Sequence, residues 1–427
     1  MSVTIEAVDK QATHRHEQSV SATVPARELL AMLKKVRVNA RRSFPAAALT
    51  ALEFQDYGWL KASAFDYQTG LSVTRGVENQ GAVHQRLVMG ESIIDALGAL
   101  VRGVAKDLNV TLRWAWDSAD EIDRLHLEAG GFNLAMPSSL ASSSKDEFLD
   151  IMTAWPRTVK IGPARSSCKA TVDVRAFRDL IDQIAHTVST DDTLPVLNSF
   201  KLEFSDDRIT VLATDRYRLA RSWIPTRINF TGSALIRLAD WKRLRVLFDK
   251  PGDMEITLTA PGESTAFDSV TFEGKGFKAS TVALDAEFPK LGTLFPDEWA
   301  SHVTVSAAEM LRAARIISTT LERNVPLVLT ATEDGTALQI TGTNGEAESS
   351  SPRIAMQADN AQGLRTAFNP KFYQDALRAI SGDKIRISYN EQAKGHRITD
   401  GAIPLDQLAT EELVMPVRLP SQKSGLR

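Results

Sequence analysis

Apolar residues recur at helical spacing in six stretches of this chain, and between them the pattern shortens to the alternation of strands. Phe177, Leu180, Ile181, Ile184 and Val188 lie on one stripe, so the stretch from Asp173 to Val188 reads as an amphipathic helix with one buried face. Met310, Ala314, Ile317 and Leu321 define a second such helix from Ser306 to Leu321, and Phe372, Ala376, Leu377 and Ile380 a third from Asn369 to Ile380. Pro25 to Arg41, Gly90 to Gly103 and Leu238 to Phe248 complete the set. Asp206-Asp207 separates two strand-like runs and reads as a hairpin turn.

The order of these elements repeats. Leu194-Pro195-Val196-Leu197-Asn198 is followed, after a strand, by Ala213-Thr214-Asp215-Arg216-Tyr217-Arg218-Leu219-Ala220. Pro45 precedes Leu52-Glu53-Phe54 and then Ala64-Phe65-Asp66-Tyr67, while Pro326 precedes Val328-Leu329-Thr330 and then Thr341-Gly342-Thr343-Asn344. In each copy a first helix leads to the proline, a strand pair follows it, and a second helix comes later. The prolines are spaced by roughly 130 to 150 residues, far beyond the period of a solenoid, so each repeat is a whole domain. The expected division is a flexible N-terminal extension over 1–18, domains over 19–160, 166–297 and 301–420, and a tail over 421–427. A length of 427 residues suits three domains. Ser138 to Lys145 reads as a flexible loop.

Composition narrows the class of protein. A hydrophobic content of 43% is ordinary for packed cores. Cys168 is the only cysteine, which excludes an intrachain disulfide and a cysteine metal cluster and fits a reducing, cytoplasmic setting. The first eighteen residues are polar, and no apolar run approaches the ~20 residues of a membrane span, so neither secretion nor a membrane anchor is expected.

A net charge of −3 is not that of a protein that grips nucleic acid with its whole surface. The distribution says more. Lys34, Lys35, Arg37, Arg41 and Arg42 crowd the first helix, Arg175 and Arg178 lie off the stripe of the third, and Lys242, Arg243 and Arg245 crowd the fourth. Arg312 and Arg315, then Lys371 and Arg378, face outward on the last two, whereas Gly90 to Gly103 offers only Arg102. Acid gathers elsewhere, as in the loop holding Asp117, Asp120, Glu121 and Asp123. One such helix would be an ordinary solvated face. Recurrence in five of six points to a surface for phosphates that reads no bases.

Signs of catalysis are few. The chain has no glycine-rich Lys-bearing phosphate loop, no His-Glu-x-x-His and no glycine-flanked serine elbow. Asp206, Asp207 and Asp215 are the only candidates for a metal-dependent nuclease cluster, against which stands the turn reading of the first two. The seven histidines show no ligand spacing, and no metal or cofactor is expected.

Four motifs carry a resemblance. They are the proline-bearing strand with its Ala213-Thr214-Asp215 turn, Phe288-Pro289 with Phe295-Pro296, Phe368-Asn369-Pro370-Lys371-Phe372, and the ending Leu413-Val414-Met415-Pro416-Val417-Arg418-Leu419. In this order, over roughly residues 20–420, the chain resembles the bacterial DNA polymerase III beta subunits, the sliding clamps. The resemblance implies an α+β, three-domain DNA clamp (the processivity fold), with helices lining a central channel, antiparallel sheets outside and a ring-shaped homodimer. It implies a non-catalytic accessory subunit that needs no cofactor, with double-stranded DNA, DNA polymerase, the clamp loader and other clamp-binding-motif proteins as partners.

Carried over by position, the channel residues are Lys34, Lys35, Arg41, Arg42, Arg178, Lys242, Arg245, Arg312, Arg315, Lys371 and Arg378. The implied partner-peptide pocket comprises Leu197, Thr214, Tyr217, Arg218, Leu219, Pro289, Leu294, Asn369, Phe372, Leu413 and Met415. Without the resemblance, Leu219 and Met415 in strand-like runs read as plain core. Arg216 stands where the family usually has glycine, which implies an altered turn and a cation at the pocket rim. That departure, with the Phe44-Pro45-Ala46-Ala47-Ala48 stretch in a divergent first domain, leaves a second reading open: a paralogue or phage clamp that serves a specialised polymerase or acts as a decoy.

Overall fold

The computed structural model describes residues 20–418 apart from 38–49, 56–57, 66–67, 81–84, 90–91, 105–106, 118–121, 138–164, 206, 262–264, 297, 346, 362, 392–393 and 405–406. The expectations for the N-terminal extension, for 44–48, for Arg41 and Arg42, for 138–145, for Asp120 and Glu121, for Asp206 and for the tail therefore lie outside the described residues.

Each helical stripe forms its helix: α1 (Ala26–Val36), α2 (Ser92–Leu100), α3 (Val174–Ile184), α4 (Leu238–Leu244), α5 (Ala307–Ser318) and α6 (Pro370–Ala379). Their starts are chemically marked. Asn369 caps α6, its Oδ1 accepting from the N–H groups of Lys371 (3.0 Å) and Phe372 (3.3 Å), and Pro370 occupies the first turn, where its missing N–H leaves no donor unpaired. Ser306 caps α5 through the N–H of Glu309. α3 and α4 are shorter than their stripes because each tightens into one 3₁₀ turn, Ala185–Thr187 and Arg245–Leu247. The stripe residues Phe177, Ile181, Ile184, Met310, Ala314, Ala376 and Leu377 are buried, as expected, whereas Phe372 is only half-buried.

The described residues pack as two compact units, one drawn from the chain up to Arg175 together with Asp240–Val282, the other from Ala176–Ala239 and the chain from Ala283 onward. Three sequence repeats yield two units because the sheets are shared between neighbouring repeats. In the first unit an eight-stranded sheet runs Gln85–Met89, Thr50–Gln55, Trp59–Phe65, Thr69–Gly76, then Phe277–Val282, Ser269–Gly274, Asp253–Pro261 and Arg165–Asp173. In the second the same arrangement recurs as Gly232–Arg237, Ser199–Ser205, Arg208–Thr214, Arg218–Pro225, then Thr410–Val414, His396–Asp400, Lys384–Tyr389 and Ser301–Ser306. Four strands that follow one repeat's proline thus join four from the next repeat. The seams are antiparallel ladders, Val73 opposite Phe277 in the first and Leu219 opposite Leu413 in the second.

Two half-sheets remain at the ends of this series. The first unit carries Glu78–Gln80, Val20–Pro25, Asn109–Asp117, Ile122–Ala129 and Phe132–Pro137 as a separate five-stranded sheet. The second extends its sheet by Ile354–Asp359, Ala337–Asn344, Leu327–Ala331 and Arg365–Phe368, with Ala347–Ser350 beside Ala337–Asn344. Among the described residues, Phe132–Pro137 and Ala347–Ser350 each have a strand on one side only. Asp117 and Asp123 belong to strand ends rather than to a loop.

The core of the third repeat lies between α5, α6 and one sheet face, with Met310, Ile317, Leu338, Phe368 and Tyr373 among its members. Gly342 makes this close approach possible: a Cβ there would lie 2.6 Å from Leu321 Cδ2 and 3.0 Å from Ile317 Cγ2. No helix among the described residues is long and apolar enough to cross a membrane.

Candidate functional site

The turn after Arg208–Thr214 is built by its own side chains. Thr214 Oγ1 donates to the Arg218 carbonyl (2.7 Å) and accepts from Arg216 N (3.2 Å), while Asp215 Oδ1 accepts from the N–H groups of both Tyr217 and Arg218 at 3.0 Å. These bonds hold Arg216 at φ +80°, the left-handed conformation that glycine adopts without strain. Side chains thus impose on arginine a backbone conformation that glycine would take freely. Of the three non-glycine residues at positive φ among the described residues, the other two are Asn324 and Asn360, a residue type that tolerates this region.

From this turn the chain enters the seam, and period-two alternation divides it into two faces. Leu219 and Leu413 point to one face, where they are buried beneath Phe295 with Leu291 and Trp299 packed alongside. Arg221 lies over the Phe295 ring at 4.2 Å and Arg397 over Trp299 at 5.0 Å, bridged by the buried Glu411, which accepts from both arginines. Arg218 and Val414 point to the other face. There Met415 N bonds the Tyr217 carbonyl (2.9 Å), and the Tyr217 ring stacks on Phe372 of α6 at 6.0 Å.

The residues expected at the pocket thus separate by role. Tyr217 (56% exposed), Leu294 (42%) and Met415 (37%) present apolar surface to solvent, and Pro289 is exposed near them in sequence to Leu294. Leu197, Leu219 and Leu413 are buried, whereas Met415 is partly exposed just beyond the end of its strand. Thr214 and Asn369 spend their oxygens on the turn and on the helix cap.

Arg218 carries the electrostatics. It is buried, with Nε on Asp215 (2.9 Å), Nη1 on Asp375 of α6 (2.9 Å), Nη2 on the His186 carbonyl and its plane 4.4 Å above Phe372. Two carboxylates and an aromatic face compensate one desolvated cation. Asp375 is itself shared, since its other oxygen accepts from Arg378 Nη1 (3.1 Å). Behind this group Glu412 is fully buried, and burial pushes its carboxyl above the usual range; His186 Nε2 approaches it at 3.3 Å without hydrogen-bond alignment. None of Asp375, His186 and Glu412 stands out in the sequence, although Asp375 sits three residues after Phe372, one turn along the same helix.

The basic helix faces form within each unit. In the second, α5 and α6 are tied by Gln374 Nε2 to Ser318 Oγ (2.8 Å), and Arg312, Arg315, Lys371 and Arg378 are all exposed. In the first, Lys34, Lys242 and Arg245 are exposed, while Lys35 is half-buried and paired with Asp249 at 2.6 Å. Arg178 is not simply outward: it is half-buried and bonded to the adjacent Asp179. The second unit's helical surface also carries acid, in a cavity of about 440 Å³ lined by Asp179, Asp182 and Asp375 with Arg378.

Asp207 and Asp215 do not converge. Asp207 stands at the hairpin end, bonded to Arg208, and Asp215 beyond the far end of the seven-residue strand Arg208–Thr214, roughly 25 Å away at the rise of a strand. Among the described residues, no three His, Cys, Asp or Glu side chains are placed to hold a metal ion.

Paired half-sheets joined at antiparallel seams, each with helices carrying exposed cations, define the class of DNA clamps. The model of the DNA polymerase III beta subunit central domain matches residues 171–290, and that of its C-terminal domain matches residues 292–418. The chain belongs to the DNA polymerase III beta subunit family. It is 28% identical over 387 residues to the beta sliding clamp of Streptomyces coelicolor, covering 88% of this chain and 93% of that one. It is 36% identical over 186 residues to the beta sliding clamp of Micrococcus luteus, covering 43% and 58%. Among solved structures, the C. crescentus beta sliding clamp superposes with a TM-score of 0.77 at 19% identity, over 95% of this chain and all of that one.

Proposed function

We propose that this chain is a sliding clamp, a non-catalytic processivity factor of the cytoplasm that encircles duplex DNA and tethers a DNA polymerase, with three clamp domains over 19–160, 166–297 and 301–420. The observation that carries the reading is the seam between Arg218–Pro225 and Thr410–Val414: at its end Met415 N bonds the Tyr217 carbonyl, so that two exposed apolar side chains stand beside a fully compensated arginine and the half-buried Phe372 ring. Exposed apolar and aromatic anchors beside a few fixed polar groups are what a short peptide needs. The exposed cations of α1, α4, α5 and α6 supply diffuse attraction for phosphates without base readout.

Two copies close the ring. Each internal seam joins the third strand after a repeat's proline to the last strand of the following repeat. The strands left over by that rule are Ala347–Ser350 and Phe132–Pro137, each with a partner on one side only among the described residues. A second copy supplies the missing partner for each, which gives a head-to-tail dimer with two equivalent junctions.

The pocket is tested with a labelled peptide bearing a glutamine and two or three large apolar residues, titrated by fluorescence anisotropy. Met415→Ala is the informative variant, because truncating Leu219 would also open the core. Loss of an interface anchor commonly costs ~2 kcal/mol, so a roughly thirtyfold weaker peptide is expected at unchanged thermal stability. Equal affinity for wild type and variant would move the partner site elsewhere.

A further inference from the structure

Arg216 sits at the rim of the proposed pocket in a conformation that disfavours it. Its φ of +80° is strained for a long side chain such as arginine, and the two other non-glycine residues in that region among the described residues are asparagines. The strain is maintained by Thr214 and Asp215, whose side chains close the turn around it. The consequence is positional: the guanidinium is 58% exposed and lies 5.9 Å from the centre of the Tyr217 ring, the most exposed aromatic wall of the pocket.

The two arginines of this turn differ in what they leave available. Arg218 directs all its nitrogens at Asp215, Asp375 and the His186 carbonyl. Arg216 has one acidic neighbour, Asp191, at 3.9 Å, the outer limit of an ion pair, and that carboxylate already accepts from Thr193 N (3.0 Å) and Thr193 Oγ1 (2.6 Å). A ligand carboxylate beside Tyr217 can therefore take up the Arg216 charge by displacing a weak contact. We infer that Arg216 is a specificity-determining residue of the pocket, selecting partner peptides that carry an acidic side chain next to the apolar residue seated against Tyr217. This rests on the pocket reading above and adds to it the chemistry of the preferred partner.

Two labelled peptides test it, identical except for aspartate or asparagine at that flanking position, each titrated into wild type, Met415→Ala and Arg216→Gly. Glycine accepts the φ of the turn, so the variant retains the fold, which thermal unfolding checks. Wild type is expected to prefer the acidic peptide by about threefold to fivefold at low salt, the range of an exposed ion pair, with the preference shrinking as salt is raised. Arg216→Gly is expected to bind both peptides alike, whereas Met415→Ala weakens both and keeps their ratio. The same preference in Arg216→Gly, or no preference in wild type, overturns the inference while leaving the pocket standing. Failure of wild type to bind either peptide overturns the pocket reading and the inference with it.

Discussion

Replacement of Phe132 by glutamate is expected to make the proposed head-to-tail dimer dissociate about a thousandfold more readily. Phe132 is 62% exposed at the start of the edge strand Phe132–Pro137, directly after the Gly130-Gly131 turn, whose φ values of +56° and +85° suit a two-residue hairpin. An aromatic side chain on an edge that is unpaired among the described residues marks a surface that expects a cover. Losing such an anchor costs ~2 kcal/mol at each junction, and a head-to-tail pair has two junctions, so the dimer weakens by ~4 kcal/mol. Light scattering at micromolar concentration should shift from twice the 46.8 kDa chain mass toward the single mass. Because the side chain is solvent-exposed in the single chain, its thermal unfolding should change little. A folded variant with unaltered dimer affinity would show that the two edges do not meet.

Retention on DNA separates a closed ring from a basic surface by a still larger margin. Ordinary phosphate contact weakens by about a thousandfold or more between 50 and 200 mM salt when six or more contacts are made. Topological linkage escapes that dependence. Once a clamp loader has placed the protein on nicked circular duplex, it is expected to survive a moderate-salt wash and to leave quickly when the circle is linearised. Charge-removing substitutions at Arg312, Arg315 and Lys371 should slow loading and alter sliding while sparing retention on the circle. Equal rates of loss from circular and linear DNA, with the dimer intact, would leave only a surface-binding protein.

The helices were legible because their stripes are local: a face set by Phe177, Ile181 and Ile184 needs no knowledge of what it packs against. Strand pairs after each proline were legible for the same reason. The seams were not, since the pairing of Leu219 with Leu413 joins residues nearly two hundred positions apart and alternation alone does not say which strand lies across. The pocket shows the same limit at finer scale. Leu219 and Met415 both read as strand residues, and only the fold reveals that Phe295 covers the first while the second emerges at the end of its strand. Asp375 was silent because its role depends on Arg218, brought to it by tertiary packing. At Arg216 the departure from glycine was visible, but the bonds from Thr214 and Asp215 that hold its positive φ belong to side-chain geometry.

The shared sheets separate the unit of descent from the unit of folding. Family resemblance divides the chain between residues 290 and 292, yet the second compact unit runs straight across that point. A fragment cut to residues 171–290 would carry Phe277–Val282 without Thr69–Gly76 and Arg218–Pro225 without Thr410–Val414, and would expose two raw ladders to aggregation. Each repeat presents one edge that requires a predecessor and one that requires a successor. A linear series built on that rule has no natural first or last member, and in the proposed head-to-tail pair it is completed by returning to its own beginning.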